Sequence, residues 1–360
     1  MDRRQFLQAA GGVALLVGAE PARAATSRPN SLSGLIDART MGAKGDGRTD
    51  DTNALQAAID RARAEGGGRV WLPPGIFCTS TLTLPGGVAI QGCGWQSILR
   101  LRSGANVDLI VTPTGRTSYY GVVQDLCLDG NRSHNNRGCG IRLHGAINYR
   151  IEAVKLVGFA GSGIMLGGAS GAPTIAPWIL NCGVYECGGA GIDRDAYCTD
   201  VKIHAVDIGR CAKGVVLPNS SFLSDVTIWQ CVTGVHGYWA ANAHLVQVRC
   251  ERCRNEGFLF EGCTDISLES CRAYENNQSA RGHDGFAFRG TKEHPCARIS
   301  IVGCMSGLTG SKFEKQRFGF SDGGSEHVDY ILCSGCAAFG NEVAGFDLAA
   351  GDHDFVSHNL

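Results

Sequence analysis

The 360-residue sequence predicts an all-β fold, a single-stranded right-handed parallel β-helix closed at its N-terminal end by an amphipathic helix. Two recurrences carry that expectation. A glycine followed by an apolar residue returns at Gly140-Ile141, Gly163-Ile164, Gly191-Ile192, Gly214-Val215, Gly234-Val235, Gly257-Phe258, Gly285-Phe286, Gly319-Phe320 and Gly345-Phe346, at intervals of 23, 28, 23, 20, 23, 28, 34 and 26 residues. Self-similarity at this period marks a solenoid, whose coils cannot bury their apolar faces alone. The second recurrence is an alternating phrase, Val226-x-Ile228-x-x-Cys231, which returns as Ile266-x-Leu268-x-x-Cys271, Ile299-x-Ile301-x-x-Cys304 and Val328-x-Tyr330-x-x-Cys333. Each coil is thus expected to hold two short alternating strands separated by turns rich in Gly, Asn and Asp.

Taken in chain order, residues 1–24 read as a twin-arginine signal peptide. Arg3-Arg4 precedes a short apolar stretch, Gly11 to Ala19, and Ala22-Arg23-Ala24 has the small-x-small form of a cleavage site. The apolar stretch is far short of the ~20 residues that span a bilayer. The expected product is therefore exported to the periplasm or secreted, with no membrane association after cleavage. Residues 25–360 form the expected β-helix domain, with a cap helix at about 52–65 and coils over about 70–360.

Within the cap, Ala54, Leu55, Ala58, Ile59 and Ala62 share one helical face, Asp51 or Thr52 stands at the N-terminus, and Gly66 to Gly68 ends the helix. The preceding "GAKGDG" is no phosphate loop, because no Gly-Lys-Ser/Thr follows it. Those glycines are read as a turn. The helix covers the first coil, whose edge would otherwise be open.

The formal net charge of -1 gives no polyanion-binding balance, so nucleic acid is not an expected partner. Seventeen cysteines in a chain this long do not read as a disulfide framework. Cys182, Cys231, Cys250, Cys271, Cys304 and Cys333 are expected to stack as one interior column, as small hydrophobes. The pairs Cys250/Cys253 and Cys333/Cys336 have zinc-site spacing, yet they sit about three coils, on the order of 14 Å, apart. No metal site is assigned. The final anchor is followed by "GDHDFVSHNL" without a capping helix pattern, which leaves an association surface for a second copy or a partner.

Gly42-Ala43-Lys44-Gly45-Asp46-Gly47, Asp50-Asp51-Thr52, Ala54-Leu55-Gln56 and Ala58-Ile59, followed by "GGRVWLPPGIF" and "GVAIQGCG", closely resemble the start of the pectate-lyase superfamily, which includes rhamnogalacturonase-like and mannuronan-epimerase-like proteins. The resemblance implies a right-handed β-helix that handles acidic polysaccharides. It does not fix the reaction, because the shared part is scaffold.

Candidate chemistry follows from strand alternation: residues two and four after each anchor glycine face outward. Successive coils then present Arg142 and His144, Asp193 and Asp195, His236 and Tyr238, and Glu261, a groove about 20 Å long. Arg194 would point inward under strict alternation, so a bend is expected there. Lyase or epimerase chemistry on a uronate must neutralise the substrate carboxylate and abstract the C5 proton. Arg142 or Arg137, or a calcium ion, would neutralise. His144 or His236 would be the base and Tyr238 the proton donor, with Trp239 and Glu261 binding substrate. Hydrolysis would instead use Asp193 and Asp195 as acid and base. The motif Tyr-Gly-Phe-Asp-Pro-His of mannuronan epimerases is absent at Ser162-Gly163-Ile164-Met165-Leu166. Its nearest echo, Ala190-Gly191-Ile192-Asp193-Arg194-Asp195, lies one coil later and lacks the tyrosine and histidine. The expected activity is β-elimination or C5 epimerisation of an acidic polysaccharide. The alternatives are a glycoside hydrolase and a non-catalytic carbohydrate-binding or surface-structural β-helix.

Overall fold

Glycine spacing dictates the architecture. The computed structural model describes residues 34–279, 282–308, 313, 315–348 and 353–360. The signal-peptide reading and its cleavage site after Ala24 lie outside these residues. One parallel sheet of 11 strands, here the front sheet, runs β1 (Leu82–Thr83), β2 (Ile110–Val111), β3 (Ile141–His144), β4 (Ile164–Gly167), β5 (Ala190–Arg194), β6 (Lys213–Val216), β7 (Thr233–Tyr238), β8 (Phe258–Glu261), β9 (Phe286–Arg289), β10 (Phe318–Ser321) and β11 (Ala344–Asp347), each paired with its neighbours in chain order. Nine of these strands start at or beside the predicted anchor glycines. A β-carbon on Gly214 would lie 2.6 Å from the Gly234 carbonyl oxygen, and one on Gly234 would lie 2.2 Å from that of Gly257. Coils approach too closely at this point for any side chain, and that steric demand sets the repeat.

Each coil holds more than the two strands expected. After the front strand the chain passes through two short back strands, such as Arg150–Glu152 and Lys155–Val157, which pair with their counterparts one coil on. They are joined by a single residue in the left-handed region, Ala153 here and Asn181, Ala205, Asp225, Gln247 or Ser270 in later coils, all with φ between 52° and 54°. A second left-handed corner, at Glu186, Arg210, Gln230, Arg252 and Glu275, leads back to the front sheet. Both halves of a coil therefore repeat the same in-out-in phrase.

That duplication corrects the cysteine column. Cys271 and Cys304 do stack, their successors Arg272 and Met305 being in register. Cys231 instead follows the second corner, level with Cys187, Cys211 and Cys253. Cys250 pairs with Ile228 in the second back strand, whereas Cys333 pairs with Ile301 in the first. The six thiols occupy several interior columns rather than one, because Val226-x-Ile228 belongs to the second half of its coil and Ile266-x-Leu268 to the first. All six are nevertheless buried among the aliphatic core.

Every cysteine is unpaired, and only Cys93 is exposed. Burial pushes the thiols of Cys182, Cys253 and Cys296 up to about 12, from an ordinary value of 9.0. Because the unfolded chain ionises first, these thiols support the fold fully below pH about 9, and that support is lost as the pH climbs toward 12. A thiol-titrating reagent at pH 8 should accordingly count one cysteine in the native protein and 17 after denaturation, and the thermal midpoint should drop above pH 9. Fast native reaction of several thiols would contradict the packed interior.

The cap helix, α1 (Thr52–Ala64), buries Leu55, Ala58, Ile59 and Ala62 against the first coil. Asp51 stands at its N-cap but makes no side-chain cap bond. Its buried carboxylate turns back to accept the backbone N–H groups of Lys44 at 2.7 Å and Gly45 at 3.0 Å. Gly45 has a φ of 62°, and a β-carbon there would meet the Phe77 ring at 2.8 Å. The glycine-rich stretch is a turn clamped by one aspartate.

Candidate active site

Outward residues of the front sheet form two columns. The first runs Arg142, Met165, Asp193, Val216, His236 and Leu259, and the second brings His144 level with Gly167 and Tyr238 level with Glu261. Strands stack about 4.8 Å apart, which puts Asp193 and His236 on the order of 10 Å from one another. The predicted residues separate into a connected group at β5, β7 and β8 and a detached group at β3.

In the connected group, His236 Nε2 lies 2.6 Å from Glu261 Oε2. An ionised carboxylate only accepts, so Nε2 donates. Nδ1 is enclosed and has no hydrogen-bond partner. The His236 ring is 6.2 Å from that of Tyr238, whose residue is 43% exposed. Trp239 stacks on Tyr238 at 4.3 Å and on His294 at 4.1 Å. Trp239, held between these two rings, stands beside Tyr238 at the edge of the group.

Arg194 is the cleft residue that strand alternation hides. It is level with Leu166, a core position, yet β5 ends there and the guanidinium runs along the solenoid axis. Its Nε donates to the Leu217 carbonyl at 3.1 Å, and Nη2 donates to the carbonyl of Tyr238. The expected bend is present, and it delivers a cation beside Tyr238. Asp193 accepts the Ser162 hydroxyl at 2.8 Å and the Arg194 backbone N–H at 2.9 Å. Asp195 accepts the backbone N–H groups of Gly168 at 3.1 Å and Tyr197 at 2.9 Å, so it clamps two coils together.

The residues at β3 are differently engaged. Arg142 Nε donates to Asp108 Oδ2 at 2.5 Å, which raises the guanidinium's pKa and neutralises the charge that the sequence reading assigned to substrate. Arg137 lies on the exposed turn before β3, and its Nε donates to the Asn106 carbonyl at 2.9 Å. His144 is half-buried at the end of β3, with its backbone N–H bonded to Thr112 Oγ1. None of the three reaches the His236–Tyr238 group through a described contact.

A calcium ion needs several converging oxygens. Both Asp193 and Asp195 are committed to protein donors, and among the described residues no group of three His, Cys, Asp or Glu side chains converges on a common point. The arrangement does not fit a calcium cage.

Continuous parallel coils, a capping helix and a polar cleft on one sheet define a parallel β-helix of the pectate-lyase type. The chain belongs to the family described as rhamnogalacturonase A/epimerase, pectate lyase-like, which matches residues 35–259. Among curated proteins it is similar to mannuronan C5-epimerase AlgE6 of Azotobacter vinelandii, 41% identical over 109 residues, and to alginate lyase 7 of the same organism, 37% identical over 108 residues. Each match covers 27% of this chain, and 12% and 13% of the respective relative. Among solved structures, the A-module of mannuronan C5-epimerase AlgE4 from Azotobacter vinelandii superposes with a TM-score of 0.62 at 18% identity, over 89% of this chain and 100% of the module.

Proposed function

We propose that the protein abstracts the C5 proton of uronate residues in an acidic polysaccharide, giving the epimerised or the unsaturated sugar. One observation carries this reading: a cation, a histidine–carboxylate pair and an exposed phenol converge on β5, β7 and β8. The names of the relatives, mannuronan C5-epimerases and an alginate lyase, support the same chemistry.

In this reading Arg194 pairs with the substrate carboxylate and stabilises the enediolate formed when the C5–H electrons move into it. Since Nε2 already donates to Glu261 and Nδ1 is enclosed, the departing proton goes to the Glu261 carboxylate, which the imidazole holds in place. Tyr238 then supplies a proton to the opposite face of C5 for epimerisation, or to the O4 leaving group as the C4–O4 bond breaks for elimination. Asp193 holds Ser162 and the Arg194 backbone, and so positions the cation.

The test incubates the protein with oligomannuronate, oligoguluronate and polygalacturonate in deuterated water. Deuterium at C5 or the ultraviolet absorbance of an unsaturated uronate is the expected result. New reducing ends without either signal would replace the proposal by hydrolysis, and no product from any of the three polymers would overturn it.

A further inference from the structure

The corner that leads from the second back strand into the front sheet holds a second basic cavity that shares no residue with the cleft. Its volume is about 630 Å³, and Arg132, Arg210, Arg252 and Arg254 line it with no carboxylate among the described walls. The guanidinium groups are held from behind. Arg132 donates to the Glu186 carbonyl at 2.9 Å, and Arg210 to the Glu186 carboxylate at 2.6 Å while lying 4.8 Å over the Trp229 ring. Arg252 donates to Glu275 at 2.9 Å. Arg254 is exposed and has no side-chain partner among the described residues. Among the described residues, four cations over two carboxylates leave a local excess of positive charge in a chain whose formal net charge is -1.

The placement is periodic. Arg210 and Arg252 occupy the same left-handed corner of coils two apart, with φ of 56° and 54° and Gln230 between them. The same corner nearer the N-terminus holds a cavity of about 450 Å³ lined by Arg48, Arg100, Arg102 and His134. Back strands leading into the two cavities are continuous in register through Leu99–Leu128–Leu156–Val184. Guanidinium groups spread along the axis over several coils match a linear chain carrying repeated negative charges better than a single small anion.

We infer that this corner is an accessory binding site for a carboxylated polysaccharide, separate from the catalytic cleft. The choice of carboxylate as the anion rests on the proposed function; the site itself does not. The test compares the full-length protein with its Arg210→Gln/Arg254→Gln variant by affinity electrophoresis in polygalacturonate and by calorimetry with a long oligouronate, across a salt series and with dextran as the neutral control. The double variant should bind the long chain about tenfold more weakly, with a shallower salt dependence, while turning over a trisaccharide at the wild-type rate. Arg254→Gln alone should lose about threefold, and because that side chain has no partner among the described residues, an unchanged thermal midpoint in this variant separates the loss from misfolding. Wild-type affinity in the double variant, or equal retardation by dextran, would overturn the inference. Binding lost without any uronate turnover in the wild type would sink the catalytic reading alone; turnover with undiminished variant affinity would sink this one alone.

Discussion

Exchange of Glu261 for glutamine should lower turnover on a uronate oligomer by about 10³-fold, roughly 4 kcal/mol of activation free energy. Glutamine has the same length, and its amide oxygen can still accept from His236 Nε2, which preserves the wall of the cleft. What it lacks is an ionisable carboxylate. The loss should therefore fall on kcat, with KM moved by less than about threefold, since the groups that hold the substrate carboxylate and the sugar rings are untouched. Deuterium incorporation at C5 should fall in parallel, because the same proton transfer feeds both readouts. Asp195→Asn gives the contrast. Its carboxylate accepts two backbone N–H groups, from Gly168 and Tyr197, so that substitution should lower the thermal midpoint and reduce turnover by less than about tenfold. A wild-type rate in Glu261→Gln would remove proton abstraction from β8.

How far the letters of the chain disclosed this arrangement depends on the range of the interaction behind each one. The anchor glycines were legible because the demand they meet, close approach of consecutive coils, acts at one position and admits one residue. The apolar face of α1 was legible for the same local reason. The cysteine register was misread because one-residue corners give both halves of a coil the same phrase, and no single letter says which half it belongs to. In the cleft, His236, Tyr238 and Glu261 followed from alternation on adjacent strands. Arg194 could not, since alternation points it inward and only the end of β5 turns it out. Arg142 was assigned to substrate because its partner Asp108 stands 34 residues away in sequence, beyond any periodic signal. His294, which stacks on Trp239, comes from a turn outside the repeat.

Loss of a single ring from the interior should be as damaging as loss of the proton-accepting carboxylate, through stability rather than chemistry. Phe258, Phe286, Phe320 and Phe346 follow four consecutive anchor glycines, and their rings stack at 4.4, 4.7 and 5.1 Å with interplanar angles of 7° or less. Phe286 is fully buried and touches a ring on either side. In a solenoid, stability is close to a sum of coil terms and nearest-neighbour interfaces, so an inner rung contributes to two interfaces and an end rung to one. Phe286→Ala should cost about 3–5 kcal/mol, from the lost transfer energy and the cavity left between two rigid neighbours that cannot close over it. Phe346→Ala, at the half-buried end of the stack, should cost clearly less. Phe286→Leu, which refills much of the volume, should recover most of the loss. Denaturant unfolding of the three variants measures the order directly. Equal costs for Phe286→Ala and Phe346→Ala would mean that the coils do not transmit stability from neighbour to neighbour, and that the cleft on β5 to β8 owes its geometry to something other than the stack beneath it.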